Sequence, residues 1–180
     1  MAFHPMAETP LTQAFLEDHR TLTRGLDQLR EAVVNDDFRT AKHLADQLDR
    51  SVGGHIEFEE RILYPEVALT TGADHVHRLY AEHRAGREAI GRILSVPDTE
   101  KLPPDVRPKL LAQLNTVCDH VLSCGTLVSH LASLPAPKQA AILERLLQYR
   151  SAGHRWTQLP TDAEPDLACG VPVESVGKRP

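Results

Sequence analysis

Residues 44–59, LADQLDRSVGGHIEFE, place Leu44, Leu48, Val52 and Ile56 at successive steps of four. That spacing puts all four on one side of an α-helix, and no period-two alternation runs between them to suggest a strand. Working back, Phe15, Leu22, Leu26, Leu29 and Val33 fall at three- and four-residue steps, which predicts an amphipathic helix over 11–35. Asn35-Asp36-Asp37 supplies a stop and the N-cap of the next helix. Working forward, Ile62 and Leu63 carry that second helix to Pro65, the only proline between Leu11 and Val96. Proline lacks the amide donor and clashes with the preceding turn, so the helix is expected to end there. Thr70-Thr71-Gly72 reads as a loop and cap. Val76, Leu79, Tyr80, Ile90 and Leu94 make a third helix to about 95, and Leu110, Leu114, Val117, Val121, Leu127 and Leu131 a fourth. Pro135 and Pro137 open a short fifth helix through Ile142, Leu143, Leu146 and Leu147.

No stretch alternates with period two and nothing repeats. The reading is an all-α, up-down-up-down four-helix bundle with a short fifth helix and a flexible C-terminal tail. It divides the chain into an N-terminal arm (1–10), the bundle (11–155) and the tail (156–180), where the apolar period is lost.

The composition narrows the function. The chain has 180 residues, 41% apolar and 25% charged, with a net charge of −5, ordinary values for one globular domain. No Lys/Arg cluster offers a phosphate footprint, which argues against nucleic acid as a partner. No apolar run is long enough for a membrane span, and the first ten residues lack the pattern of a secretory signal. Three cysteines read as reduced thiols of a cytoplasmic protein. There is no H-E-x-x-H, C-x-x-C or glycine-rich phosphate loop, and no nucleophile–base pair stands out.

Histidine is the unusual residue: ten, against eight aromatics. Each of the four main helices carries one on its apolar stripe: His19, His55, His83 and His120. A core imidazole needs partners for both nitrogens, and four from four helices point to one shared partner. Glu59 lies four residues after His55, on the same face and roughly 6 Å along the axis. Imidazoles with a carboxylate inside a bundle are the donor set for a first-row metal.

The segment 55–65, HIEFEERILYP, resembles the second-helix motif of the hemerythrin-like HHE cation-binding family. Asp18-His19-Arg20, Glu82-His83-Arg84 and Asp119-His120 sit where that family places its other helix histidines. The resemblance covers about residues 11–150. It implies a four-helix bundle holding a non-haem, usually di-iron centre, with His19, His55, Glu59, His83 and His120 as ligands and Glu59 bridging if two irons are present. It implies O2, NO or peroxide as small ligands, in binding, sensing or iron handling; turnover of peroxide or ferrous iron stays open, and no dedicated acid–base group in the sequence points to it. Two positions depart from the family pattern. Leu79 stands where oxygen carriers have a second histidine, and Cys124-Gly125 where the family has a helix-four acid. Metal occupancy below two per chain, or an easily lost second iron, is the expectation.

Two further candidate ligands follow. Cys124 lies on the His120 face, and a thiolate binds iron well; inert burial is the competing reading. Tyr80, three residues before His83, lies toward the same face, with an ordinary core-edge role as its alternative. Asp18, Glu82 and Asp119 either orient histidines of neighbouring helices or are simply solvated. Gly53-Gly54, directly before His55, leaves room for a pocket, a close packing contact or a kink. Against the iron reading stands a second: a degenerate, metal-free bundle acting as a protein-interaction module.

Overall fold

The computed structural model describes residues 9–160, apart from 98–101, 104 and 124. All regular structure among the described residues is helical: α1 (Pro10–Val34), α2 (Phe38–Phe58), a π turn (Glu59–Leu63), α3 (Tyr64–Thr71), α4 (Ala73–Ser95), α5 (Val106–Ser123), α6 (Gly125–Ser133), α7 (Ala136–Ala152) and a 3-10 turn (Trp156–Gln158). α1 packs on α2 and α5, and α4 packs on the same two. Neighbours joined by short links run antiparallel, the up-down-up-down arrangement the periodicity predicted.

The caps explain the element ends. Thr9 and Thr12 exchange hydrogen bonds at the start of α1. Asp37 accepts from the Thr40 amide at 3.1 Å and starts α2, after Asp36 turns the chain at φ +58°. Gly72, at φ +88°, both ends α3 and begins α4; Thr70 and Thr71 belong to α3, not to a loop.

Pro65 does not end the second helix, because the π turn absorbs it. The Tyr64 amide bonds back five residues to the Glu59 carbonyl. In that wider register the carbonyl opposite Pro65 is that of Glu60, which no proline amide can serve. The Tyr80 hydroxyl serves it instead. The helical rod therefore runs on to Thr71.

The fifth helix, α7, spans 17 residues, fewer than any of α1, α2, α4 and α5, and lies against α1 and α2. Packing does not stop at 155. Trp156 is 1% exposed and Leu159 6%, so residues expected to lie in the tail close the core. Asp49, itself buried, accepts from Arg155 Nη1, the Thr157 amide and the Thr157 hydroxyl at 2.7–3.0 Å. Arg87 donates to the carbonyls of Leu159 and Pro160. Gly53-Gly54 is a packing contact. A Cβ at Gly53 would collide with the backbone of His154–Trp156, and one at Gly54 with that of Tyr149-Arg150. The remainder of the expected tail, 161–180, and the 1–8 part of the arm lie outside the described residues.

Two apolar clusters fill the bundle. One holds Leu22, Leu26, Leu29, Leu48, Ile90, Leu114 and Trp156 among others; the other is built around Phe15, Phe58, Tyr64, Val76 and Leu131. In α1 and α4 the inward histidine falls between them, and in α2 and α5 it lies at the far end of the first cluster's stretch. The polar layer so formed is where burial costs most.

Candidate metal centre

His19, His55, Glu59, His83 and His120 are each buried, at 1–7% exposure. The four rings share one orientation. Every Nδ1 faces outward onto an oxygen: His19 onto the Phe15 carbonyl (3.0 Å), His55 onto Asp18 (2.9 Å), His83 onto Glu60 (3.0 Å) and His120 onto Glu82 (2.8 Å). An oxygen acceptor fixes a proton on Nδ1 and turns Nε2 into the ligating nitrogen. All four Nε2 atoms therefore aim at one interior space.

Glu59 stands in the middle of it. Its Oε1 faces His19 Nε2 (3.7 Å) and His55 Nε2 (3.5 Å), and its Oε2 faces His83 Nε2 (3.2 Å). His83 Nε2 lies 3.0 Å from His120 Nε2. Two triads that could hold a metal ion result, His19–His55–Glu59 and Glu59–His83–His120, and they share the one carboxylate.

The donor set fits a metal for a reason internal to the site. His19 Nε2, His55 Nε2 and Glu59 Oε1 are buried without a hydrogen-bond partner. A fold seldom leaves three such atoms facing each other unless something else satisfies them. The second triad is closed by hydrogen bonds of its own. The Tyr64 hydroxyl lies 2.9 Å from His83 Nε2 and 3.4 Å from both His120 Nε2 and Glu59 Oε2.

Electrostatics follow the geometry. Burial would lower the His55 and His83 pKa values. The carboxylates of Glu59 and Asp18 around His55, and of Glu59 and Glu60 around His83, outweigh it and raise both to about 9. Burial pushes His19 down to about 4, with Glu59 opposing only in part. Burial and the neighbouring charge of His83 lower His120. Glu59 is held well below the usual carboxylate range: burial opposes this, and His55, His83 and His19 overcome it.

A centre of this make-up in a bundle can be compared with known families. The family model described as the hemerythrin HHE cation-binding domain matches residues 11–122. The chain belongs to that family. Neither curated proteins nor solved structures returned a match.

As a hemerythrin-domain chain it departs from expectation at instructive places. The phenol in the centre is Tyr64, not Tyr80. Tyr80 spends its hydroxyl on the Glu60 carbonyl and meets Tyr64 edge-on, with centroids 5.2 Å apart. Tyr64 was hidden because residues five apart do not share a face of an α-helix; only the π turn brings it beside Glu59. Its one advance sign was a proline immediately after it. Of the three acids preceding histidines, Asp18 and Glu82 do orient histidines of neighbouring helices, while Asp119 is exposed and Glu60 takes the third place. Leu79 is a buried part of the Phe58–Tyr64 cluster. Cys124, the other candidate ligand, lies outside the described residues.

Proposed function

We propose that this chain is a non-haem iron protein. His19, His55, Glu59, His83 and His120 hold the iron, and the centre serves O2, NO or peroxide binding, sensing, or iron handling. The convergence of four Nε2 atoms on the two oxygens of one buried glutamate carries this reading. Imidazole nitrogen with carboxylate oxygen suits iron among first-row metals. Bound iron would supply open coordination positions for a small ligand.

The chain's own residues prepare the rest. Asp18, Glu60, Glu82 and the Phe15 carbonyl keep the four rings from rotating, so the site is largely formed before a metal arrives. Glu59 offers one oxygen to each triad, which favours two metal positions. The Tyr64 hydroxyl stands beside the Nε2 atoms of His83 and His120, a further oxygen at the second triad. Phe15 packs on the rings of His19 and His55 and Trp156 on that of His83, which restricts water around them. No helix among the described residues is long and apolar enough to cross a membrane. Cysteine usage is our ground for proposing the cytoplasm.

A metal-free interaction module is the second reading, and one observation favours it: the Tyr64–His83–His120 bonds satisfy the second triad without an ion. The partnerless atoms of the first triad oppose it. Protein expressed in iron-supplemented medium decides between them, by metal analysis and an ultraviolet–visible spectrum. We expect iron with a ligand-to-metal absorption band. Iron near zero and a flat spectrum would overturn the iron reading.

A further inference from the structure

The two triads share Glu59, yet the groups behind them differ. Behind the second, His83 is backed by Glu60 and His120 by Glu82. Neither carboxylate has a Lys or Arg within ion-pair distance among the described residues; Arg78 reaches Glu82 only as a longer-range charge. Behind the first, His19 is backed by a neutral backbone carbonyl. His55 is backed by Asp18, and Asp18 is already engaged by Arg150, from Nη2 at 2.8 Å and Nε at 3.0 Å. The side chains of Asp18, Glu60 and Glu82 are 19%, 12% and 21% exposed, so solvent screens them similarly. What separates them is the guanidinium.

We propose that the two metal positions are unequal, and that His83–His120–Glu59 fills first and holds its metal more tightly. The position at His19–His55–Glu59 is the weak one, and Arg150 is the positioning residue that weakens it. This rests on the metal-binding function proposed above. A dication at the second triad faces, through the imidazole rings, two carboxylates that have no Lys or Arg ion pair among the described residues, plus the Tyr64 oxygen. A dication at the first faces one carboxylate cancelled by Arg150. Charge behind a ligating imidazole raises its basicity, and losing such a partner typically weakens metal binding 10–100-fold. The inequality is therefore built in by α7, a helix that contributes no ligand: Arg150 is its only side chain bonded to Asp18 among the described residues.

The test is an anaerobic titration of the full chain with Fe2+, counting bound equivalents and their affinities by calorimetry and after desalting. Wild type should show a tight first equivalent and a second at least tenfold weaker. His19→Ala should keep the tight equivalent and lose the weak one; His120→Ala should do the reverse. Glu82→Gln should weaken the tight equivalent 10–100-fold and spare the other. Arg150→Met should strengthen the weak equivalent and leave the tight one alone. The last two side chains are partly exposed, so they report even if a ligand variant fails to fold. Two equal affinities, loss of the tight equivalent in His19→Ala, or an unchanged weak equivalent in Arg150→Met would overturn the inference while leaving the iron function standing. No Fe2+ bound by wild type would overturn both.

Discussion

The indole of Trp156 stands edge-on to the imidazole of His83, with ring centroids 6.2 Å apart. Trp156 is the only tryptophan in the chain, so intrinsic fluorescence reports on the centre. Emission should fall as Fe2+ is added to the metal-free protein and recover with a chelator. In Glu59→Gln, which keeps the shape and removes the charge, the same additions should leave emission flat. Full iron occupancy without a change in emission would contradict the placement.

His55→Ala and Glu59→Ala should each lose metal and lower the Tm of the metal-loaded protein toward that of the metal-free form. An ion that binds only the native state stabilises it, by about 2.7 kcal/mol at a hundredfold excess over Kd. The metal-free forms should differ less from one another than the loaded ones do. Unchanged iron content in both variants would remove these residues from the ligand set.

The pH dependence has a definite sign. His55 and His83 hold protons up to about 9 in the folded metal-free chain, above the ordinary value near 6.5. Their contribution to metal-free stability is fully present below about 6.5 and is lost as pH rises through about 9. His19, lowered to about 4, contributes in the opposite sense, and its share is lost as pH falls from about 6.5 toward 4. Metal must displace the protons on His55 and His83. Between pH 6.5 and 9 the metal-free Tm should therefore fall while metal affinity rises. Proton release on Fe2+ addition, measured in two buffers of different ionisation enthalpy, checks it; no release at pH 7 would contradict it.

Tyr64→Phe removes one oxygen from the second triad and little else, since the ring remains. If the Tyr64 phenolate coordinates ferric iron, the protein should show a visible charge-transfer band that Tyr64→Phe lacks and Tyr80→Phe retains. Losing the hydroxyl's bonds to His83 and His120 should cost the metal-free form about 0.5–1.5 kcal/mol, read by urea unfolding.

Asp49→Ala should release the segment that carries Trp156. It strips the acceptor from Arg155 Nη1, the Thr157 amide and its hydroxyl, at about 1–3 kcal/mol or more. Tryptophan emission should shift to the red as Trp156 becomes hydrated. Gly53→Ala should act alike, because its methyl group would collide with the same segment's backbone. A buried tryptophan spectrum in both variants would mean the segment is held by other contacts.

The bundle was legible because aliphatic spacing and proline position are local signals, and four inward histidines on four stripes pointed to a common centre. What sequence hid was non-local. Trp156 and Leu159 looked like tail because no period surrounds them; their burial depends on Asp49 and the glycines at 53 and 54, about a hundred positions away. Glu60 drew no role of its own from sequence, since nothing local shows which helix faces it. Tyr64 was obscured by assuming a uniform helix.

The π turn makes chain length a chemical variable. In an uninterrupted α-helix, residues five apart sit about 140° from one another, and Tyr64 would leave the interior. Deleting a single residue between Glu60 and Leu63 would turn everything downstream by about 100°, while His55 and Glu59 stayed where they are. Two sequences alike in every ligand, but one residue different in length here, would then present different oxygen donors at the same corner. One codon's insertion or loss, with no substitution at all, is enough to change what that corner can do.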